Sequence, residues 1–145
     1  MRAVVSRVTR ARVLVDDAVV GELDAPGLLV LLGVHRDDDP APDGDPVLRM
    51  ARKLHELRLL RDDRSCAETG AGLLVVSQFT LYGDTRKGRR PSWSAAAAPE
   101  RARGVVDSVV TALGDRGAQV SEGVFGADMA VESVNDGPFT VVVES

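Results

Sequence analysis

Leu28-Leu29-Val30-Leu31-Leu32-Gly33-Val34 is an unbroken apolar run with turn-rich sequence on both sides. It falls far short of the roughly 20 residues that span a bilayer, and it is short for a helix. The reading it supports is a strand buried on both faces, which obliges the rest of the chain to cover it from two sides. Leu73-Leu74-Val75-Val76-Ser77-Gln78-Phe79-Thr80-Leu81 is a second strand candidate, with two polar residues in its middle.

Two amphipathic helices can supply the cover. From Pro46, a residue suited to a first helical turn, Val47, Met50, Ala51, Leu54 and Leu57 recur at helical spacing. From about Pro99 to Arg116, Ala102, Val105, Val106, Val109, Val110 and Leu113 form another stripe, and Gly117 is placed to end it. The start of the chain reads as strands containing Val4, Val5, Val8, Val13 and Val15, with a turn at Asp16-Asp17 before Val19-Val20 and a break at Ala25-Pro26-Gly27. Asp37 to Asp45, with five aspartates and two prolines, reads as a surface loop. Leu57 to Leu60 is read as the start of another strand, residues 62–72 as an irregular surface loop and 83–99 as a long ordered loop. The tail is expected to form strands at 118–122, 127–134 and 139–144, with Asn135-Asp136-Gly137-Pro138 separating the last two. This order predicts a mixed α/β or α+β fold: one domain over residues 1–145, with mostly antiparallel or mixed sheet and two main helices. Spare sheet edges and apolar faces fit a homodimer.

Composition narrows the function. In 145 residues there is one cysteine, Cys66, so neither an intramolecular disulfide framework nor a multi-thiolate metal site is available. Two histidines, His35 and His55, leave little for a metal centre, and no metal or cofactor is expected. The opening Met-Arg-Ala-Val-Val-Ser-Arg is too broken by charge for a signal peptide, so a cytoplasmic location is expected, with no membrane partner. The net charge is −4, which argues against a general nucleic-acid coat while leaving room for a local positive patch.

The chemistry-bearing candidates are few. Ser77-Gln78 inside an apolar strand either satisfies neighbouring backbone groups or marks a strand that ends at a pocket. No Gly-x-Ser-x-Gly elbow is present, and no base stands in a recognisable place for a serine nucleophile. Gly137-Pro138 is either part of a plain turn or a means of presenting bare backbone at close range. Arg86-Lys87-Gly88-Arg89-Arg90 is the dense positive cluster of an otherwise acidic chain, placed a few residues after the polar strand end. Trp93 can anchor its loop or stack on a base. Cys66 sits in polar sequence with no visible activating partner.

Ser77-Gln78-Phe79-Thr80 and Asn135-Asp136-Gly137-Pro138-Phe139-Thr140 together make the chain resemble the D-aminoacyl-tRNA deacylases, also called D-tyrosyl-tRNA deacylases. Arg7-Val8, Gly27 to Val34, Asp84 to Ser92 and Phe125 to Met129 extend the likeness over essentially the whole chain. The resemblance implies a deacylase-like fold and hydrolysis of the ester joining a D-amino acid to the terminal adenosine of tRNA, with glycine, as on mischarged tRNA-Ala, also accepted. It implies a cytoplasmic homodimer without metal, in which a cis Gly137-Pro138 peptide enters the partner's pocket and excludes L side chains. Arg7 and Asn135 would support that motif. Ser77, Gln78, Phe79 and Thr80 would line the ester site, and the terminal 2′-OH of the RNA would assist attack. Arg86, Lys87, Arg89 and Arg90 would hold tRNA, and no DNA partner is implied. The chain departs from the family's usual pattern at Ser6, at Ala130 and in residues 62–72, where a frequent Lys-Met-Asn stretch is lacking. The alternatives are a small-acyl esterase using Ser77 or Thr80 as nucleophile, and a non-catalytic RNA-binding module.

Overall fold

The computed structural model describes residues 1–38, 41 and 43–145. Asp16 and Asp17 adopt φ of 49° and 62°, the left-handed pair that a two-residue hairpin loop requires. β1 (Arg2–Val15) therefore folds straight back as β2 (Ala18–Leu23). β1 is the organising strand. One edge takes β2 along residues 11–15 and β3 (Gly27–Gly33) along residues 2–8, while the other edge takes β6 (Ala130–Glu144). β3 runs parallel to β4 (Leu73–Ser77), which runs parallel to β5 (Val120–Glu122), so the sheet mixes both pairings.

The sheet curls until its ends nearly meet. Gly21 of β2 sits so close to β5 that an added Cβ would fall 2.1 Å from the Glu122 carbonyl oxygen, so only glycine permits the approach. The architecture is a mixed α+β fold with a nearly closed, barrel-like sheet and helices α1 (Asp45–Glu56), α2 (Cys66–Thr69) and α3 (Pro99–Asp115).

The apolar run at 28–34 lies between two cores, as expected, and so does the run at 73–76. Leu28, Val30, Leu32, Leu73 and Val75 pack into a core with Met50 and Leu54 of α1 and Val105, Val109 and Leu113 of α3. Their alternates Leu29, Leu74 and Val76 pack with Val8, Ala11 and Val13 in a second core on the other face. The period of two along each strand is what divides the residues between the cores.

Several sequence expectations need correction. Leu57 belongs to no helical stripe: it caps α1 with extended φ and ψ and is exposed. Residues 57–60 start no strand. The segment 62–72 is not irregular throughout, since Ser65 and Glu68 form a reciprocal capping box that starts α2 and buries Cys66. β4 stops at Ser77, and Phe79–Tyr82 form a 3₁₀ turn. The last strands are one strand, β6, which pairs with β1 up to Asn135 and again from Thr140, carrying residues 136–139 as an irregularity within it. β5 starts at Val120 rather than 118. Within the expected loop at 37–45, Asp39, Pro40 and Pro42 lie outside the described residues.

Candidate active site

β4 delivers the polar strand end to a cleft. Gln78 leaves the extended conformation (φ −144°, ψ 82°), and its N–H donates to Leu32 O at 2.8 Å, pinning the strand end to β3. The N–H groups of Phe79 and Thr80 open the following 3₁₀ turn, where no preceding carbonyl of that turn can accept them, and among the described residues no backbone hydrogen bond uses them. They are available to a ligand.

The cleft has a volume of about 770 Å³, and its lining includes Ser77, Gln78, Phe79, Trp93, Phe125, Asp128 and Met129. It has the character of a small-molecule pocket, apolar walls with a few polar groups. Phe79 and Trp93 meet edge-to-face with centroids 5.3 Å apart. Trp93 therefore packs on its neighbour and also faces the cleft. Phe125 is braced by Arg103 of α3, whose guanidinium lies 4.8 Å from the Phe125 ring centroid and donates to Phe125 O at 3.4 Å.

The hydroxyls offer no protein nucleophile with a base beside it. Ser77 Oγ makes no hydrogen bond among the described residues, and the Thr80 hydroxyl is approached by the Gln78 carboxamide, which donates to it. Thr80 is exposed and does not line the cleft. Cys66 is far from reactive, since burial pushes its thiol up to about 12. His55 lies buried in α1, and His35 stacks edge-on against Tyr82. No cluster of three or more His, Cys, Asp or Glu among the described residues is placed to hold a metal ion.

The second motif is a protrusion of β6. Between the pairs Ser6↔Thr140 and Arg10↔Val134, β1 advances from 6 to 10 while β6 runs from 140 back to 134, leaving two extra residues on β6. The excess forms an exposed excursion at Gly137 and Pro138, with a cis peptide between them. Gly137 has φ 136°, a region L side chains rarely adopt. Polar contacts hold the excursion at its base. Asn135 Nδ2 donates to Thr140 Oγ1 at 2.8 Å, and Phe139 N–H donates to Asn135 Oδ1 at 2.8 Å. Arg7 Nε donates to Asp136 O at 3.1 Å while its guanidinium covers the Phe139 ring at 4.6 Å. None of residues 135–140 lines the cleft of its own chain.

The positive cluster is exposed, but its charges differ. Arg86 is turned back on Asp84, donating at 2.6 and 2.9 Å, and these bonds lower the Asp84 carboxyl to about 2. Lys87, Arg89 and Arg90 make no hydrogen bond or ion pair among the described residues. The sequence reading missed Arg103 and Arg61, because an arginine in a helix or loop gives no sign of the distant backbone it contacts.

A sequence model described as D-Tyr-tRNA(Tyr) deacylase matches residues 4–144. The chain belongs to that family. It is 59% identical over 145 residues to the D-aminoacyl-tRNA deacylase of Kineococcus radiotolerans, covering all of both chains. It is 58% identical to the protein of the same name from Beutenbergia cavernae, again over the full length of both. A solved structure titled c-Myc DNA Unwinding Element Binding Protein superposes with a TM-score of 0.90 at 35% identity, over 100% of this chain and 99% of the other. A second, described as a probable eukaryotic D-amino acid tRNA deacylase, reaches 0.85 at 19% identity over 99% and 98%, a likeness of fold.

Proposed function

We propose that this enzyme is an editing hydrolase that removes D-amino acids, and glycine mischarged on tRNA-Ala, from the 3′ end of tRNA in the cytoplasm. Membership of the family and full-length relatives of that name support the D-aminoacyl-tRNA deacylase activity. The observation that carries the mechanism is the pairing of two backbone devices, free N–H groups at the end of β4 and a clamped Gly137-Pro138 protrusion, beside hydroxyls that have no base hydrogen-bonded to them among the described residues.

In this mechanism the ester carbonyl lies against Phe79 at the cleft wall, where its N–H group receives the developing oxyanion. Water attacks the carbonyl carbon, the bond to the ribose 3′-oxygen breaks, and the vicinal 2′-OH of the RNA relays the proton. An aminoacyl ester is already activated, so positioning and oxyanion stabilisation supply much of the acceleration. Chirality is read by exclusion. In a homodimer, Gly137-Pro138 of one copy enters the other's cleft and occupies the room an L side chain needs. The absence of residues 135–140 from their own cleft and the exposed Val131, Val134 and Val142 on β6 support this assembly. Lys87, Arg89 and Arg90, with Arg86 beside them, meet the tRNA backbone.

The test is paired deacylation of D-Tyr-tRNA and L-Tyr-tRNA. The D ester is expected to be lost while the L ester survives; equal hydrolysis rejects the chiral reading. Replacing the terminal 2′-OH by hydrogen should nearly abolish turnover, and undiminished turnover removes the RNA from the chemistry. A trapped covalent acyl-enzyme would instead assign the reaction to Ser77 or Thr80.

A further inference from the structure

Residues 60–64 form a tight loop. Leu60 N–H donates to Arg64 O at 2.9 Å, and the tip residues Asp62 and Asp63 both take left-handed φ, 57° and 55°. Aspartate is one of the few residues that enters this region readily, because its short side chain bonds locally. Asp63 is engaged by Arg58 at 3.6 Å, and Arg61 reaches across 75 positions of sequence to Asp136.

That contact is a fork. Arg61 Nη2 donates to Asp136 Oδ1 at 2.6 Å and Arg61 Nε donates to Oδ2 at 3.0 Å. Arg7 approaches the same carboxylate from β1, with Nε 3.3 Å from Oδ2. Asp136 immediately precedes Gly137, so two guanidinium groups from two separate elements converge on the residue at the root of the protrusion. Arg7 is the inner partner at 12% exposure and Arg61 the outer at 65%, with Asp136 between them at 20%. A single N–H contact leaves a carboxylate free to pivot, whereas a bidentate pair fixes its plane.

We propose that Arg61 is a positioning residue for the Gly137-Pro138 segment, acting through Asp136, and that it sets how strictly L-amino acids are rejected. The inference rests on the reading that Gly137-Pro138 carries chiral selection. Arg61 touches no substrate in this scheme. It stops the protrusion from swinging aside when an L side chain presses on it. The hydrogen bond from Arg61 is also the largest influence holding the Asp136 carboxyl below its ordinary value.

The experiment measures kcat/KM on D-Tyr-tRNA and L-Tyr-tRNA for the full chain and for R61Q, R61K, D136N and the R61Q/D136N double variant. R61Q is expected to raise the L-to-D ratio roughly fivefold, the scale of a well-formed exposed ion pair. R61K, which keeps the charge and loses the fork, should fall between R61Q and the parent. Adding R61Q to D136N should change the ratio no further, since Arg61 would have nothing left to act through. A merely structural Arg61 would slow both substrates alike and leave the ratio unmoved, and that result overturns the proposal. If D136N raises the ratio and R61Q does not, the role of Arg61 falls while the reading of Gly137-Pro138 stands. If neither D136N nor Gly137→Ala moves the ratio, the reading itself has failed. Should R61Q fold poorly by its urea midpoint, R61K decides, and a ratio equal to the parent's counts against the fork.

Discussion

The two motifs sit on strands of opposite character. Ser77 to Thr80 follow a strand buried on both faces, with Leu73, Leu74, Val75 and Val76 at 2% exposure or less, and the cleft is simply what lies beyond the buried stretch. Gly137 and Pro138 interrupt a strand that is exposed along most of its length, and their position is set by arginine, aspartate and asparagine contacts. One backbone segment is placed by hydrophobic packing, the other by charge and hydrogen bonds. The chemistry explains the division. Under the proposed mechanism, oxyanion donors need a backbone that cannot shift, while an element that reaches into a neighbouring molecule has to remain on the surface and be stiffened there.

The two anchors should therefore fail under different insults. Leu74→Ala removes a fully buried side chain under the cleft and is expected to lower stability by about 2–5 kcal/mol. A loss below about 1 kcal/mol in urea unfolding would mean that packing does not hold that wall. Gly137→Ala comes next. Its Cβ would lie 3.1 Å from Arg7 Nη2 in a backbone region costing an L residue roughly 1–3 kcal/mol, so the protrusion should shift and L-Tyr-tRNA hydrolysis should rise. Unchanged stability and unchanged chirality together would remove the stiff-wedge half of the comparison.

Acid sharpens the contrast. The Asp136 carboxyl is held below 3.8 by Arg61 and, less strongly, by Arg7. A lowered folded-state pKa contributes stability above the unfolded value and loses it as pH falls through the folded one. The clamp is thus complete at neutral pH and loosens only below about pH 4. A carboxyl NMR titration should place the Asp136 midpoint below that of an ordinary aspartate; an ordinary midpoint would show the fork absent in solution. Thr80→Ala should change D-Tyr-tRNA turnover by less than about tenfold, since the residue is exposed and outside the cleft lining. Loss of all activity would reinstate it as a nucleophile. Cys66, buried and with its thiol raised to about 12, should resist iodoacetamide at pH 8 until the chain unfolds.

Much of this was legible beforehand. Leu28 to Val34 announced a strand covered on both sides, Val47 to Leu54 and Ala102 to Leu113 announced the two helices, and the two motifs pointed to the family. Those signals are local or periodic, and side-chain chemistry at fixed spacing carries them. One error came where a distant partner overrode local sequence, the other where a local capping signal outweighed the polar composition. Asn135 to Pro138 read as a turn between two strands, yet pairing with β1 on either side, at Asn135 and at Thr140, keeps the chain in one strand. Residues 62–72 read as irregular, yet burial of Cys66 and the Ser65–Glu68 box stabilise a short helix there.

Which residues would be inside, where helices would start and what chemistry the chain could attempt were decided by residue type and order alone. That the sheet closes on Gly21, that Arg61 and Arg7 converge on Asp136, and that the cleft excludes its own chain's Gly137-Pro138 were decided by the fold. Periodicity specifies one element at a time, whereas a contact between residues 75 positions apart exists only after the sheet has fixed where each of them stands.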